Sequence, residues 1–181
     1  MALTPAVIGR LLGLAALLWL GGAVLVRGLA PPAGGILGFL HLVDLVFHEA
    51  GHVIFGVLGE FAGVLGGSLN QVLIPAVCAG SFLWRGQRAA GAVCLGWTGE
   101  SLADVAVYAA DGRAMRLPLL AEGLVHDWNY LLSALALREH AEAVGRAILL
   151  AGVLTILGAI VLMTLDLAAR AYPRDAAPDA R

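Results

Sequence analysis

The chain contains no lysine, only two cysteines and little charge of either sign. Charged residues make up 13% of its 181 positions and hydrophobic ones 60%, a balance that leaves too little polar surface for a water-soluble domain. All eleven basic residues are arginines scattered along the chain, and the formal net charge is −2. No basic cluster or aromatic-basic alternation is present, which excludes nucleic acid as a partner. Cys78 and Cys94 sit singly inside hydrophobic segments without the Cys-x-x-Cys spacing of a thiolate zinc site, so they read as buried thiols. Five histidines are too few for the histidine-rich di-iron centres of membrane hydroxylases and desaturases.

What the chain does have is apolar runs, at a mean hydropathy of +0.89. A hydrocarbon core about 30 Å thick is crossed by about 20 apolar helical residues. Residues 6–26, 36–59, 69–84, 89–110 and 147–165 meet or approach that length. The expected fold is therefore all-α: a polytopic helical membrane protein with about four to five transmembrane helices in a single membrane domain, residues 1–171. The first run, behind Arg10, is long for the core of a signal peptide, and Pro31-Pro32 spoils a cleavage site, so it reads as a span. Between Phe61 and Trp84 three glycines (Gly63, Gly66, Gly67), the polar trio Ser68, Asn70 and Gln71, and Pro75 suggest a broken or re-entrant segment. Residues 111–146 form the one sizeable polar stretch, within which Leu131–Leu137 suits a short amphipathic helix. The tail from Tyr172 to Arg181 has the composition of a disordered end. The arginine count favours, narrowly, an outside N-terminus and an inside tail.

The second run carries His41, Asp44, His48, Glu49 and His52, and ionisable groups at membrane depth usually mark function. His48-Glu49-Ala50-Gly51-His52 is a His-Glu-x-x-His motif. On a helix the two histidines lie about 40° apart and one turn separated, so both imidazoles can bind one Zn²⁺. Glu49 then stands beside the open position as general base to a zinc-bound water, and passes the proton to the leaving amine. Asp44, on the same stripe, is placed to hold His48 by a second hydrogen bond, whereas His41, two turns away, reads as structural.

A hydrolytic zinc usually takes three protein ligands, so one is missing from this helix. Trp97, Glu100, Asp104, Tyr108 and Asp111 fall on one stripe of the fourth run. Asp104 is the expected third ligand and Glu100 its rival. His126 or Asp127, from the cluster His126-Asp127-Trp128-Asn129, is the alternative from outside that helix, although Asp127 or Asn129 also suits a helix cap. Asn70 and Gln71 are placed either to donate to a substrate backbone or oxyanion or to bond between helices.

Over roughly Ile36 to Asp111 these residues resemble the site-2-protease-like intramembrane zinc metallopeptidases, in which one membrane helix bears His-Glu-x-x-His and a later one supplies an aspartate. The resemblance implies that His48 and His52 bind zinc, that Glu49 is the catalytic base, and that an aspartate of a later helix completes the site. It implies a membrane-anchored protein as substrate and a bacterial cytoplasmic membrane as the location. The second motif departs from the family pattern, because Asp104 is followed by Val105 and the downstream Asp-Gly pair, Asp111-Gly112, lies at the end of the run. With no room for accessory domains in 181 residues, the chain looks like a minimal or divergent member. The competing expectation is a non-catalytic metal-binding or assembly protein that retains the zinc helix.

Overall fold

A computed structural model of the chain describes residues 4–119 and 124–171. It contains six α-helices: α1 (Pro5–Arg27), α2 (Gly35–Gly56), α3 (Glu60–Trp84), α4 (Arg88–Asp111), α5 (Asp127–Ala134) and α6 (Ala141–Ala171), with a 3₁₀ turn at Arg138–His140. No strand occurs among the described residues. The tail expected to be disordered, 172–181, lies outside them.

Among the described residues, four helical stretches are long and apolar enough to cross a membrane: α1, α2, α3 and Arg138–Arg170, which includes most of α6. Their large apolar side chains face outward, as on Leu25, Phe39, Val53, Val77 and Leu154, an arrangement compatible with a lipid surrounding. The fourth expected span, α4, is helical but is not among these four. It carries Glu100 and Asp104 and is the helix most enclosed by others, with both carboxylates buried. Polar groups are tolerated at that depth only where protein surrounds them.

Small residues set the closest approaches. On α4 and α6, a Cβ added at Gly99 would lie 2.7 Å from the Gly152 carbonyl oxygen, and one at Gly145 would lie 2.6 Å from Ala110 Cβ. On α2 and α3, a Cβ at Gly51 would collide with the Gly66 carbonyl. Backbones in contact gain dispersion where lipid removes the hydrophobic drive between helices. α1 closes the other side, packing Leu17, Leu20 and Val24 near Ile156, Ala159 and Met163, and Arg10 Nε pairs with Asp166 Oδ2 at 2.6 Å.

The segment expected to be broken or re-entrant is one continuous helix, α3. Its glycines and polar trio do not interrupt it because they share a face: Gly63, Gly66, Gly67, Ser68, Asn70, Gln71 and Pro75 are all buried. Pro75 removes one backbone donor, and a helix held in a membrane bundle absorbs that loss. The turns on either side use glycine at left-handed φ, Gly59 at 109° before α3 and Gly86 at 71° after it. The short polar-region helix begins earlier than Leu131, at Asp127, because the His126 imidazole caps it by accepting from the Asn129 N–H at 3.3 Å.

Candidate metal centre

α2 turns Asp44, His48 and Gly51 inward and leaves most of its apolar residues facing out. His48, Glu49 and His52 form a group able to hold a metal ion, with their ligand atoms within 4.8 Å of one another. The two imidazoles meet edge to face at a centroid separation of 4.8 Å.

The outer nitrogens of both rings face acceptors. His48 Nδ1–H donates to Gln71 Oε1 at 2.7 Å, and His52 Nδ1–H donates to the Gly63 carbonyl at 2.9 Å. In a neutral imidazole this leaves a lone pair on each Nε2. Both Nε2 atoms converge on one carboxylate oxygen, Asp127 Oδ2, at 2.8 Å from His48 and 3.3 Å from His52. Three electron-pair donors directed at one point repel each other unless a cation lies among them. Ligand atoms around a tetrahedral zinc ion with bonds of about 2.0 Å stand about 3.3 Å apart, which the His52–Asp127 separation matches and the 2.8 Å His48–Asp127 separation would reach by opening about 0.5 Å. Gly67 completes the cradle: a Cβ there would lie 2.6 Å from His48 Nε2 and 2.7 Å from His52 Nε2.

Asp127 reaches this point because α5 is tied down on several sides. Its backbone N–H donates to the Tyr108 hydroxyl at 3.1 Å, the Trp128 indole donates to Ser68 Oγ at 3.0 Å, and Asn129 Nδ2 donates to the Gly112 carbonyl at 2.7 Å. His126 Nε2–H lies 3.3 Å from Asp111 Oδ2. His126 thus anchors the cap and does not face the imidazole pair.

The other expected residues stand elsewhere. Asp104, expected as third ligand, is occupied by His41 Nδ1 at 3.0 Å and by Gln71 Nε2 at 3.4 Å, and is not the carboxylate between the two Nε2 atoms. Glu100 is fully buried and its carboxyl oxygens have no hydrogen-bond partner among the described residues. Asp44 does not support His48 as expected. It accepts from Trp97 Nε1 and Ser101 Oγ, each at 2.8 Å, and so binds α2 to α4. Asn70 donates to the Phe47 carbonyl at 2.7 Å, an interhelical bond and not a free donor. The stripe on α4 faces α2 as its spacing suggests, but through Asp44 and His41.

Glu49, unlike the histidines, is exposed and lies on the wall of a cavity of about 600 Å³ shared with His48, His52, Asp127 and Tyr108. Leu45, Val105, Leu117, Leu124 and Val125 give the rest of that wall an apolar character. The cavity is large enough for a short stretch of peptide. No family model matches the chain, and no curated protein or solved structure matches it.

Proposed function

We propose that the chain is an intramembrane zinc metallopeptidase in which His48, His52 and Asp127 hold the metal and Glu49 is the general base. The observation that carries this reading is the convergence of two imidazole Nε2 atoms and Asp127 Oδ2, with both Nδ1 atoms engaged as donors behind them. Asp127 takes the place that the spacing of α4 suggested for Asp104.

A zinc ion held by these three groups supplies a Lewis acid and makes water nucleophilic near neutral pH. Glu49, on the cavity wall and one residue from His48, takes the proton that water loses as it adds to the peptide carbonyl. It returns that proton to the amide nitrogen as the C–N bond breaks, giving a carboxylic acid and an amine. Tyr108, whose hydroxyl oxygen already accepts from the Asp127 N–H, keeps its own hydrogen to donate toward the developing oxyanion. The apolar wall and the lipid-facing helices suit a substrate that arrives in or beside the bilayer, and the family resemblance adds a membrane-anchored protein and a bacterial cytoplasmic membrane.

Glu49→Gln tests the enzyme reading. In proteoliposomes carrying a library of fluorogenic transmembrane peptides, the variant is expected to retain zinc and lose hydrolysis. Cleavage at the wild-type rate by Glu49→Gln removes Glu49 as the general base, and no cleavage by either protein with zinc bound turns the conclusion to a non-catalytic metal-binding protein.

A further inference from the structure

The two histidines obtain their Nδ1 acceptors in different ways. His52 uses the Gly63 carbonyl, a main-chain oxygen in a helix that cannot be exchanged for a donor. His48 uses the side-chain amide of Gln71, which presents an oxygen on one edge and an NH₂ on the other. Turned over, Gln71 would direct its NH₂ at His48 Nδ1. His48 would then carry its proton on Nε2, donate it to Asp127 Oδ2 at 2.8 Å, and have no lone pair for a metal. That inverted arrangement is a well-bonded competitor of the metal site, so something must exclude it.

The group in position to do so is Asp104. Its Oδ2 lies 3.4 Å from Gln71 Nε2, long for a hydrogen bond but within reach of the amide hydrogen. A carboxylate only accepts, so inverting Gln71 would set oxygen against oxygen. Asp104 is itself fixed from its other side by His41 Nδ1, which lies 3.0 Å from Oδ1 and 3.1 Å from Oδ2. We propose that Asp104 is a positioning residue for the metal site: by orienting Gln71 it determines which nitrogen of His48 is left free. This gives Asp104 a role through two intervening side chains in place of direct ligation, and it rests on the proposed zinc site.

Four variants of the full chain in detergent test it, with the zinc ion alone as ligand and affinity read by chelator competition. Asp104→Asn is expected to weaken zinc binding about 10-fold, within the range for groups behind a metal ligand. Gln71→Ala is expected to weaken it similarly, and adding Asp104→Asn to Gln71→Ala to cost nothing more. The combination Gln71→Glu with Asp104→Asn exchanges acceptor and amide: a carboxylate at 71 accepts from His48 in either orientation, and the amide at 104 can donate to it. Wild-type affinity is expected to return, with the thermal midpoints of the metal-free variants measured beside it so that a change in folding is read separately. Unchanged affinity in Asp104→Asn, multiplied losses in the Gln71→Ala background, or failure of the exchange to restore binding overturns the proposal. His48→Ala separates this from failure of the site: if it binds zinc as the wild type does, the metal centre itself is wrong, whereas an empty His48→Ala beside a full-affinity Asp104→Asn removes only the role of Asp104.

Discussion

At the scale of single residues, the proposed metal centre is one small volume shared by two imidazoles and a carboxylate, and Gly67 keeps that volume open. A methyl at Gly67 would lie 2.6 Å from His48 Nε2 and 2.7 Å from His52 Nε2. Gly67→Ala is therefore expected to lose stoichiometric zinc in metal analysis, with a stability cost of about 1–3 kcal/mol from overpacking. Tyr108→Phe removes the proposed oxyanion donor and also the acceptor of the Asp127 N–H, so its zinc content is measured beside its turnover. Its turnover is expected to fall about 100-fold with KM little changed, measured on any peptide the wild type cleaves. His48, Glu49 and His52 were legible in the sequence because one helical turn brings i and i+4 together whatever the rest of the fold does. The third carboxylate was not legible in the same way. Asp104 and Asp127 are both aspartates near polar neighbours, and only the packing of α5 on α3 and α4 brings Asp127 between the two Nε2 atoms. Hydrogen-bond pairing across helices is equally hidden in the sequence: the stripe on α2 points Asp44 to His48, whereas Trp97 and Ser101 hold it.

At the scale of elements, the centre depends on how closely α2 approaches α3 and on how firmly α5 is held. Gly51→Val is expected to separate α2 from α3, since even a Cβ there meets the Gly66 carbonyl and comes 2.7 Å from Asn70 Cβ. The expected result is a loss of both thermal stability and bound zinc. Gly80→Ala on α3 is the control: an added Cβ meets nothing within 4 Å, so the variant should bind zinc fully and melt no lower than the wild type. Trp128→Phe removes the 3.0 Å bond to Ser68, and is expected to cost about 1 kcal/mol and to raise amide exchange in α5. Helix existence was legible from hydropathy for α1 and α6, whose apolar runs are unbroken, and for α2, whose ionisable residues interrupt its run without a glycine-proline break. α3 looked broken because glycine and proline carry their water-soluble meaning when read alone. In the bundle, their clustering on one buried face makes them the packing surface.

At the scale of the whole molecule, the described residues form a helical assembly with four membrane-length apolar stretches and buried polar side chains shared mainly among α2, α3, α4 and α5. Zinc that binds only the folded chain stabilises it, by about 4 kcal/mol when free zinc is about 1,000 times Kd. Chelation is expected to lower the thermal midpoint in detergent and added zinc to restore it, while the midpoint of His48→Ala should respond to neither. If His48, His52 and Asp127 hold one zinc ion, as proposed, metal content depends on Asp127 and only indirectly on Asp104. Metal analysis of the purified full chain beside its Asp127→Ala and Asp104→Ala variants tests it most directly. One zinc is expected per wild-type chain, none in Asp127→Ala, and zinc bound more weakly but still present at saturating metal in Asp104→Ala. Full zinc in Asp127→Ala with an empty Asp104→Ala would contradict the proposal.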